Sequence, residues 1–256
     1  MKTLFLAWQA PTDHQWLPIG RLTFGGGCYR FVYLQGASKA ERLHGFRPLL
    51  SFPSLSEVYE SDELFPIFAN RLPSRSRSDY GDFVRWLNAP QDEDDPIALL
   101  ARSGGRRVTD NFEVFPCPAP DENGQYHIHF FAHRLRQLPA AAIERIGSLQ
   151  PGDRLLLMHD FQNPYDPSAL ALRTNGQREG DRHIVGYCPR YLLADAFEVL
   201  TRCPGLPEVA VEQVNPPPAP LQLRLLCNLT TCWPEDFRPC SNPEYQPLVA
   251  TAMSQA

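Results

Sequence analysis

Apolar and polar positions along the chain first predict strands. Residues 3–8 (TLFLAW) and 19–24 (IGRLTF) read as two, and Gly25-Gly26-Gly27 then turns the chain. Tyr29, Phe31 and Tyr33 alternate with Arg30 and Val32, which puts three aromatics on one face of a third strand. Helical spacing follows. Ser61 suits a cap, with Asp62 and Glu63 near the positive helix end, and Leu64, Ile67, Phe68 and Leu72 recur at helical intervals. Pro66 fits if it falls in the first turn, and Pro73 ends the run. Tyr80, Phe83, Val84 and Leu87 repeat the pattern on a second helix, and Asp95-Pro96 opens a short third one over 96–102. Beyond residue 125 the reading turns to β: strands at 127–131, 153–158, 168–173, 183–187, 209–214 and 221–229, with one clear helix at 190–202.

Charge divides the chain in three. Residues 1–89 carry net +2, residues 90–125 net −5 and residues 126–256 net −2. The middle piece, with Asp92-Glu93-Asp94-Asp95 and Pro116, Pro118 and Pro120, suits a connector or an exposed edge. Asn215-Pro216-Pro217-Pro218-Ala219-Pro220 can be neither helix nor central strand. The polar tail after Pro239 is expected to be loosely held. A total charge of −5 excludes whole-molecule attraction to nucleic acid but leaves room for a local basic patch. Any such patch is built from arginine, because the only lysines are Lys2 and Lys39.

The seven cysteines form no C-x-x-C pair and lack zinc spacing, so buried cytosolic thiols are expected. His127 and His129 would share a strand face and suit a metal. No fourth ligand is evident, however, and a core or surface role is the better reading of these residues. No cofactor or metal is assigned. The short apolar run at the start breaks at Pro11, no window reaches membrane-span length, and a cytoplasmic location without membrane contact is expected.

Two resemblances attach to these residues. Ser61-Asp62-Glu63-Leu64-Phe65-Pro66-Ile67-Phe68-Ala69-Asn70-Arg71-Leu72-Pro73, with Ile19-Gly20-Arg21-Leu22, Pro48-Leu49-Leu50-Ser51 and 95–105, resembles the N-terminal subdomain of HipA-type kinases. It covers about 1–115. The resemblance implies docking rather than catalysis, with Phe65, Phe68, Asn70 and Arg71 as the partner-docking residues. The kinase body is missing: there is no Gly-rich phosphate loop with a strand Lys, and His159-Asp160-Phe161 is only a fragment of such motifs. The second resemblance covers about 126–229. Gly152-Asp153, then Asn163-Pro164-Tyr165-Asp166-Pro167-Ser168, then Gly186-Tyr187-Cys188-Pro189-Arg190 before a helix, resembles a HIRAN domain. It implies an OB-like β-barrel that binds single-stranded DNA ends.

Elementary chemistry assigns roles on that site. A terminal hydroxyl donates a hydrogen bond that Asp166 could accept. Tyr165 offers a phenol or backbone amide on the same turn, and Arg134 could hold a phosphate in bidentate fashion. Tyr187 could meet sugar or base, and Arg190 completes the second motif. Asn163 serves either its own turn or the DNA. Two departures bear on affinity. Leu135 and the Pro216–Pro220 loop stand where DNA-end-binding members carry aromatics that would stack on bases.

The expectation is a two-module α+β protein: a hairpin-plus-helices HipA-N-like domain over 1–115, a linker at 116–125, an OB-like β-barrel HIRAN domain over 126–235 and a loose tail over 236–256. The expected function is a non-enzymatic adaptor. Its barrel recognises single-stranded DNA or a DNA 3′ end while the first module docks a protein such as a HipA-like kinase body. The rival is a protein-interaction subunit of a toxin–antitoxin or phage-defence kinase, or of a larger nucleoprotein effector complex, with little DNA binding of its own.

Overall fold

A computed structural model describes residues 2–89, 95–107, 109–164, 166–176, 180–203 and 207–249. The acidic residues Asp92, Glu93 and Asp94 lie outside that set. The chain forms two compact units, each a mixture of antiparallel sheet and helices. The first contains residues 1–80, 91–117 and 240–256; the second contains 81–90 and 118–239.

In the first unit the sheet order is β4-β3-β2-β1-β5, with β1 Lys2–Gln9, β2 Trp16–Gly25, β3 Cys28–Tyr33, β4 Val58–Ser61 and β5 Phe112–Pro116. The first three strands fall where alternation predicts them. Phe31 and Tyr33 are fully buried, and Phe31 stacks on Phe52 with ring centroids 4.1 Å apart. The Tyr33 hydroxyl donates to Phe52 O and accepts from Leu49 N–H, both at 2.8 Å, so it fastens the 46–52 loop over the sheet. Burial pushes that phenol up to about 12.

Helix α1, Gln35–His44, buries only the small residues Gly36, Ala37 and Ala40 and escapes the sequence reading. Its small residues explain it. A Cβ on Gly36 would lie 2.0 Å from Pro18 O, so only glycine lets the helix sit this close to β2. The helix expected over 64–72 shrinks to α2, Pro66–Ala69, with Pro66 at its first position. Ser61 ends β4 instead of capping a helix, and its Oγ accepts from Glu63 N–H at 3.0 Å. Helix α4, Pro96–Ser103, matches the expectation, capped by Asp95 Oδ1 accepting from Ile97 N–H at 3.1 Å.

Three expectations about organisation change. β5 pairs with β1 and buries Val114 and Phe115, so residues 112–116 are a strand of the first unit. Helix α3, Tyr80–Trp86, is expected in the first module, yet 81–90 groups with the second unit. There Asn215 Nδ2 donates to Trp86 O at 2.8 Å, Gln213 Nε2 donates to Arg85 O at 2.8 Å, and Leu87 is fully buried. The described part of the tail is not loose. Leu34 and Pro247 form a bridge, Leu248 N–H donates to Tyr33 O at 2.9 Å, and Tyr245 packs edge-on against Phe5.

The second unit is a six-stranded antiparallel sheet, β6-β11-β10-β7-β8-β9. Its strands are β6 Gln125–Phe131, β7 Arg154–His159, β8 Leu170–Thr174, β9 Ile184–Tyr187, β10 Glu208–Val214 and β11 Leu225–Cys232. The segment read as a strand from Leu221 begins with a single helical turn, Leu221–Leu223, after Pro220. The sheet curls until its two edges meet: His133, just past β6, pairs with Tyr187 of β9. Gly186 makes that closure possible, because a Cβ there would lie 2.7 Å from Ala132 Cβ.

Helices α5, Ala140–Gly147, and α6, Leu193–Arg202, flank this curled sheet. Arg145 of α5 forms a bidentate pair with Asp181 at 2.9 and 2.8 Å. Cys203, just past α6, is disulfide-bonded to Cys232 at the end of β11, which corrects the expectation of free thiols throughout. Cys188 and Cys227 remain buried thiols, and burial pushes Cys188 up to about 12. No helix among the described residues is long and apolar enough to cross a membrane.

Candidate nucleic-acid interface

The β7–β8 loop, residues 160–169, and the closure between β6 and β9 meet at one place. The loop's described residues form a chain of turns, as the Asn163-Pro164 and Asp166-Pro167 steps dictate. Asn163 N–H donates to Asp160 O, and Asn163 Oδ1 accepts from Asp166 N–H at 3.2 Å. Asp166 Oδ1 accepts from Ser168 N–H at 3.0 Å. The Asp166 side chain is 8% exposed, and its Oδ2 lies 2.9 Å from Arg190 Nε. Both oxygens therefore hold protein: one fixes the turn, the other anchors the guanidinium ahead of α6.

Asp160 occupies the open side of this arrangement. Its Oδ2 accepts from the Tyr187 hydroxyl at 3.0 Å and from Asn163 Nδ2 at 3.1 Å. Tyr187 is pushed above the usual phenol range by burial first and by its bond to the Asp160 carboxylate second. Arg134 and Asn163 act in the opposite sense on the same phenol, so the Arg134 charge is felt at this point. Arg134 itself has left-handed backbone (φ 63°), at the turn where the chain leaves β6. The His133–Tyr187 bridge thus brings Arg134 beside Tyr187 although 53 positions separate them in the sequence.

Five of the six expected binding residues fall in this cluster of turn, bridge and helix start: Arg134, Asn163, Tyr187, and Asp166 with its partner Arg190. Tyr165 lies outside the described residues. Sequence reading missed Asp160, dismissed as part of a kinase-like fragment, and Phe161. Phe161 follows Asp160 directly, and its ring is 71% exposed. A large aromatic left in water on a loop of charged and amide side chains is the signal that could have found it. Leu135 is core, and Ala219 in the Pro-rich loop is buried, so neither supplies a stacking surface.

The expected docking residues of the first unit fare differently. Phe68 is fully buried in the core, and Phe65 packs edge-on against Phe52 at 4.9 Å. Arg71 donates to Gly105 O at 2.8 Å and makes a bidentate pair with Asp110 at 3.2 and 2.8 Å, with its side chain 2% exposed. Phe68 and Arg71 are therefore internal ties, not surface contacts. Asn70 is exposed.

Residues 125–230 match the family model of the HIRAN domain. No curated protein matches the chain. Among solved structures, a Lactobacillus plantarum protein is 17% identical, with 42% of this chain and 97% of that chain covered and a TM-score of 0.32. The HIRAN domain of human HLTF is 14% identical, with 43% of this chain and 80% of that chain covered and a TM-score of 0.29. The family match does not reach residues 1–124, and it assigns residues 125–230 to the HIRAN domain.

Proposed function

We propose that the second unit binds single-stranded DNA at the mouth formed by the 160–169 loop and the His133–Tyr187 closure, and that it reads a free 3′ end there. The observation that carries this is the Asp160–Tyr187–Asn163 hydrogen-bonded cluster with Arg134 beside it and the exposed Phe161 ring next to it. A carboxylate accepts the hydroxyl of a strand end, a guanidinium takes the adjoining phosphate, and an aromatic face stacks the terminal base. The HIRAN assignment supports the same reading. In it Asp160 is the hydroxyl acceptor, and Asp166 is the residue that positions Arg190 and the turn. Phe161 supplies the stacking that Leu135 and the Pro216–Pro220 loop do not.

The test is fluorescence polarisation with labelled single strands whose 3′-hydroxyl is free or blocked, at low and moderate salt. Saturable binding that weakens at least tenfold on blocking supports end reading. Binding indifferent to the block reduces the proposal to single-strand binding. No binding at micromolar protein overturns it.

The first unit's part in this proposal is docking, with no catalysis by either unit. Its support is the sequence resemblance to the HipA N-terminal subdomain, with Asn70 as the exposed member of the set. Co-elution with a HipA-type kinase body that lacks its own N-terminal subdomain tests it, and separate elution refutes it.

A further inference from the structure

His127 and His129 alternate on β6 with Tyr126, Ile128 and Phe130, which are buried in the barrel core. Both imidazoles therefore stand on the outer face of the sheet. Their Nε2 atoms face one another at 3.0 Å. The other nitrogen of each ring is already engaged. His129 Nδ1 bonds to Glu212 Oε2, and His127 Nδ1 lies 3.3 Å from Thr230 Oγ1. Glu212 is the extra residue of a bulge in β10, and its second oxygen accepts from Asn88 Nδ2 at 2.7 Å.

A further donor stands in the same place. Asn228 of β11 is paired directly opposite His129, so the two side chains share a face with Cβ atoms about 4.5–5.5 Å apart. Asn228 Oδ1 is buried and has no hydrogen-bond partner among the described residues. A buried carbonyl oxygen without a donor is costly unless something electropositive meets it.

We propose that His127 and His129 bind a late first-row divalent cation through their Nε2 atoms, with Asn228 Oδ1 as an oxygen donor and Glu212 orienting His129. Two neutral imidazole lone pairs 3.0 Å apart repel unless a proton or a cation lies between them. At ordinary metal–nitrogen lengths of about 2.0–2.1 Å, that separation subtends roughly 90–97° at the ion. This is the cis angle of an octahedral or square site, which suits Ni²⁺ or Cu²⁺ and needs only slight opening for Zn²⁺. The Glu212–His129 bond is the carboxylate–histidine arrangement that fixes the tautomer of a metal-bound ring and raises its basicity. Among the described residues no three His, Cys, Asp or Glu groups converge on one point, so water completes the coordination and the ion exchanges readily. By joining β6 to β11 such an ion stabilises the barrel rather than serving its DNA-binding mouth.

The test uses the tag-free full chain, stripped with chelator, and the metal alone. Calorimetric titration with Ni²⁺ and Zn²⁺ is expected to show one site, with no heat from Mg²⁺, and saturation is expected to raise Tm. His127→Gln and His129→Gln should each weaken binding at least tenfold, and Glu212→Gln by about 10–100-fold. His133→Gln should leave it unchanged. Should a variant fail to fold, broadening of wild-type histidine resonances by substoichiometric Cu²⁺ decides the matter. Broadening centred on His127 and His129 supports the site. Absence of binding, or binding unaltered by loss of both histidines, overturns it and leaves a shared proton between the two rings.

Discussion

Asp166 and Asp160 lie six positions apart on one loop, and their variants should fail in opposite ways. Replacing Asp166 with Ala removes the acceptor of Ser168 N–H and the partner of Arg190. A hydrogen bond to a charged acceptor contributes about 1.5–3 kcal/mol. Breaking a fully buried ion pair costs about 3–5 kcal/mol, but the Arg190 side chain is 27% exposed and regains water, so its share falls below that range. The two contributions share one carboxylate and do not add in full. The expected loss is about 2–4 kcal/mol, or roughly 8–16 °C in Tm at about 4 °C per kcal/mol for a unit of this size.

Asp160→Asn keeps an acceptor for the Tyr187 hydroxyl on a half-exposed side chain. It should cost less than about 1 kcal/mol in stability while removing the charge proposed to accept a strand end. Thermal unfolding followed by circular dichroism gives the first quantity. Polarisation binding at 10 °C, where both variants are folded, gives the second. The expected pattern is a low-melting Asp166→Ala that still prefers a free 3′-hydroxyl, and a normally melting Asp160→Asn that binds both ends alike. A normally melting Asp166→Ala that no longer binds would falsify the assignment and make Asp166 the direct reader.

Phe161→Ala should weaken single-strand binding by about 1–3 kcal/mol with little change in Tm, because its ring is exposed before DNA arrives; unchanged affinity would remove Phe161 from the site. The bonds from Arg145 hold the Asp181 carboxyl down at about 2, against about 3.9 in an unfolded chain. The folded form thus binds that proton less tightly, so the pair's contribution is complete above about pH 5 and fades as pH falls through 4 towards 2. Urea melts of Asp181→Asn across this range should be flatter than those of the parent, and an equal slope refutes the linkage. The Cys203–Cys232 bond closes a 29-residue separation, for which loop-closure entropy gives about 3.6 kcal/mol. Cys203→Ser under oxidising conditions should lose stability of that order, and peptide mapping without reductant should recover the cross-linked pair. Gly36→Ala places a methyl against Pro18 O and should destabilise the first unit by about 1–3 kcal/mol or more, measured by urea unfolding; a neutral result would mean α1 can lift from β2 at no cost.

What the sequence revealed depended on whether a signal was local. The first three strands of the first unit were legible because Leu4 and Leu6, and then Phe31 and Tyr33, repeat at the period of a pleated sheet and point to one core, whereas β4 and β5 carried no such signal. α4 was legible because a cap and a first-turn proline stand side by side. α1 was not, since its fit to β2 comes from the absence of a side chain at Gly36, and no periodicity records an absence. Nor was the membership of 81–90, which Asn215 and Gln213 settle by bonding backbone carbonyls more than 120 positions away. Composition tied α3 to its neighbours along the chain, whereas hydrogen bonding ties it to β10 and the loop after it.

The candidate site divides along the same line. Asn163, Asp166, Tyr187 and Arg190 lie in turn motifs whose residue types are set by backbone geometry, so they were readable. The same geometry explains why the motif carboxylate is not the open one. A residue whose type is set by its turn is consumed by that turn, and Asp166 is spent on Ser168 and Arg190. The carboxylate left to face solvent, Asp160, belongs to no turn signature; what marks it is the Tyr187 hydroxyl, which reaches it only after the barrel has closed at His133. Arg134 and Phe161 become neighbours of that carboxylate by the same closure and by chain adjacency. The proposed ligand surface therefore lies where the two edges of the curled sheet meet, and residues that a strand-by-strand reading treats as unrelated come together there.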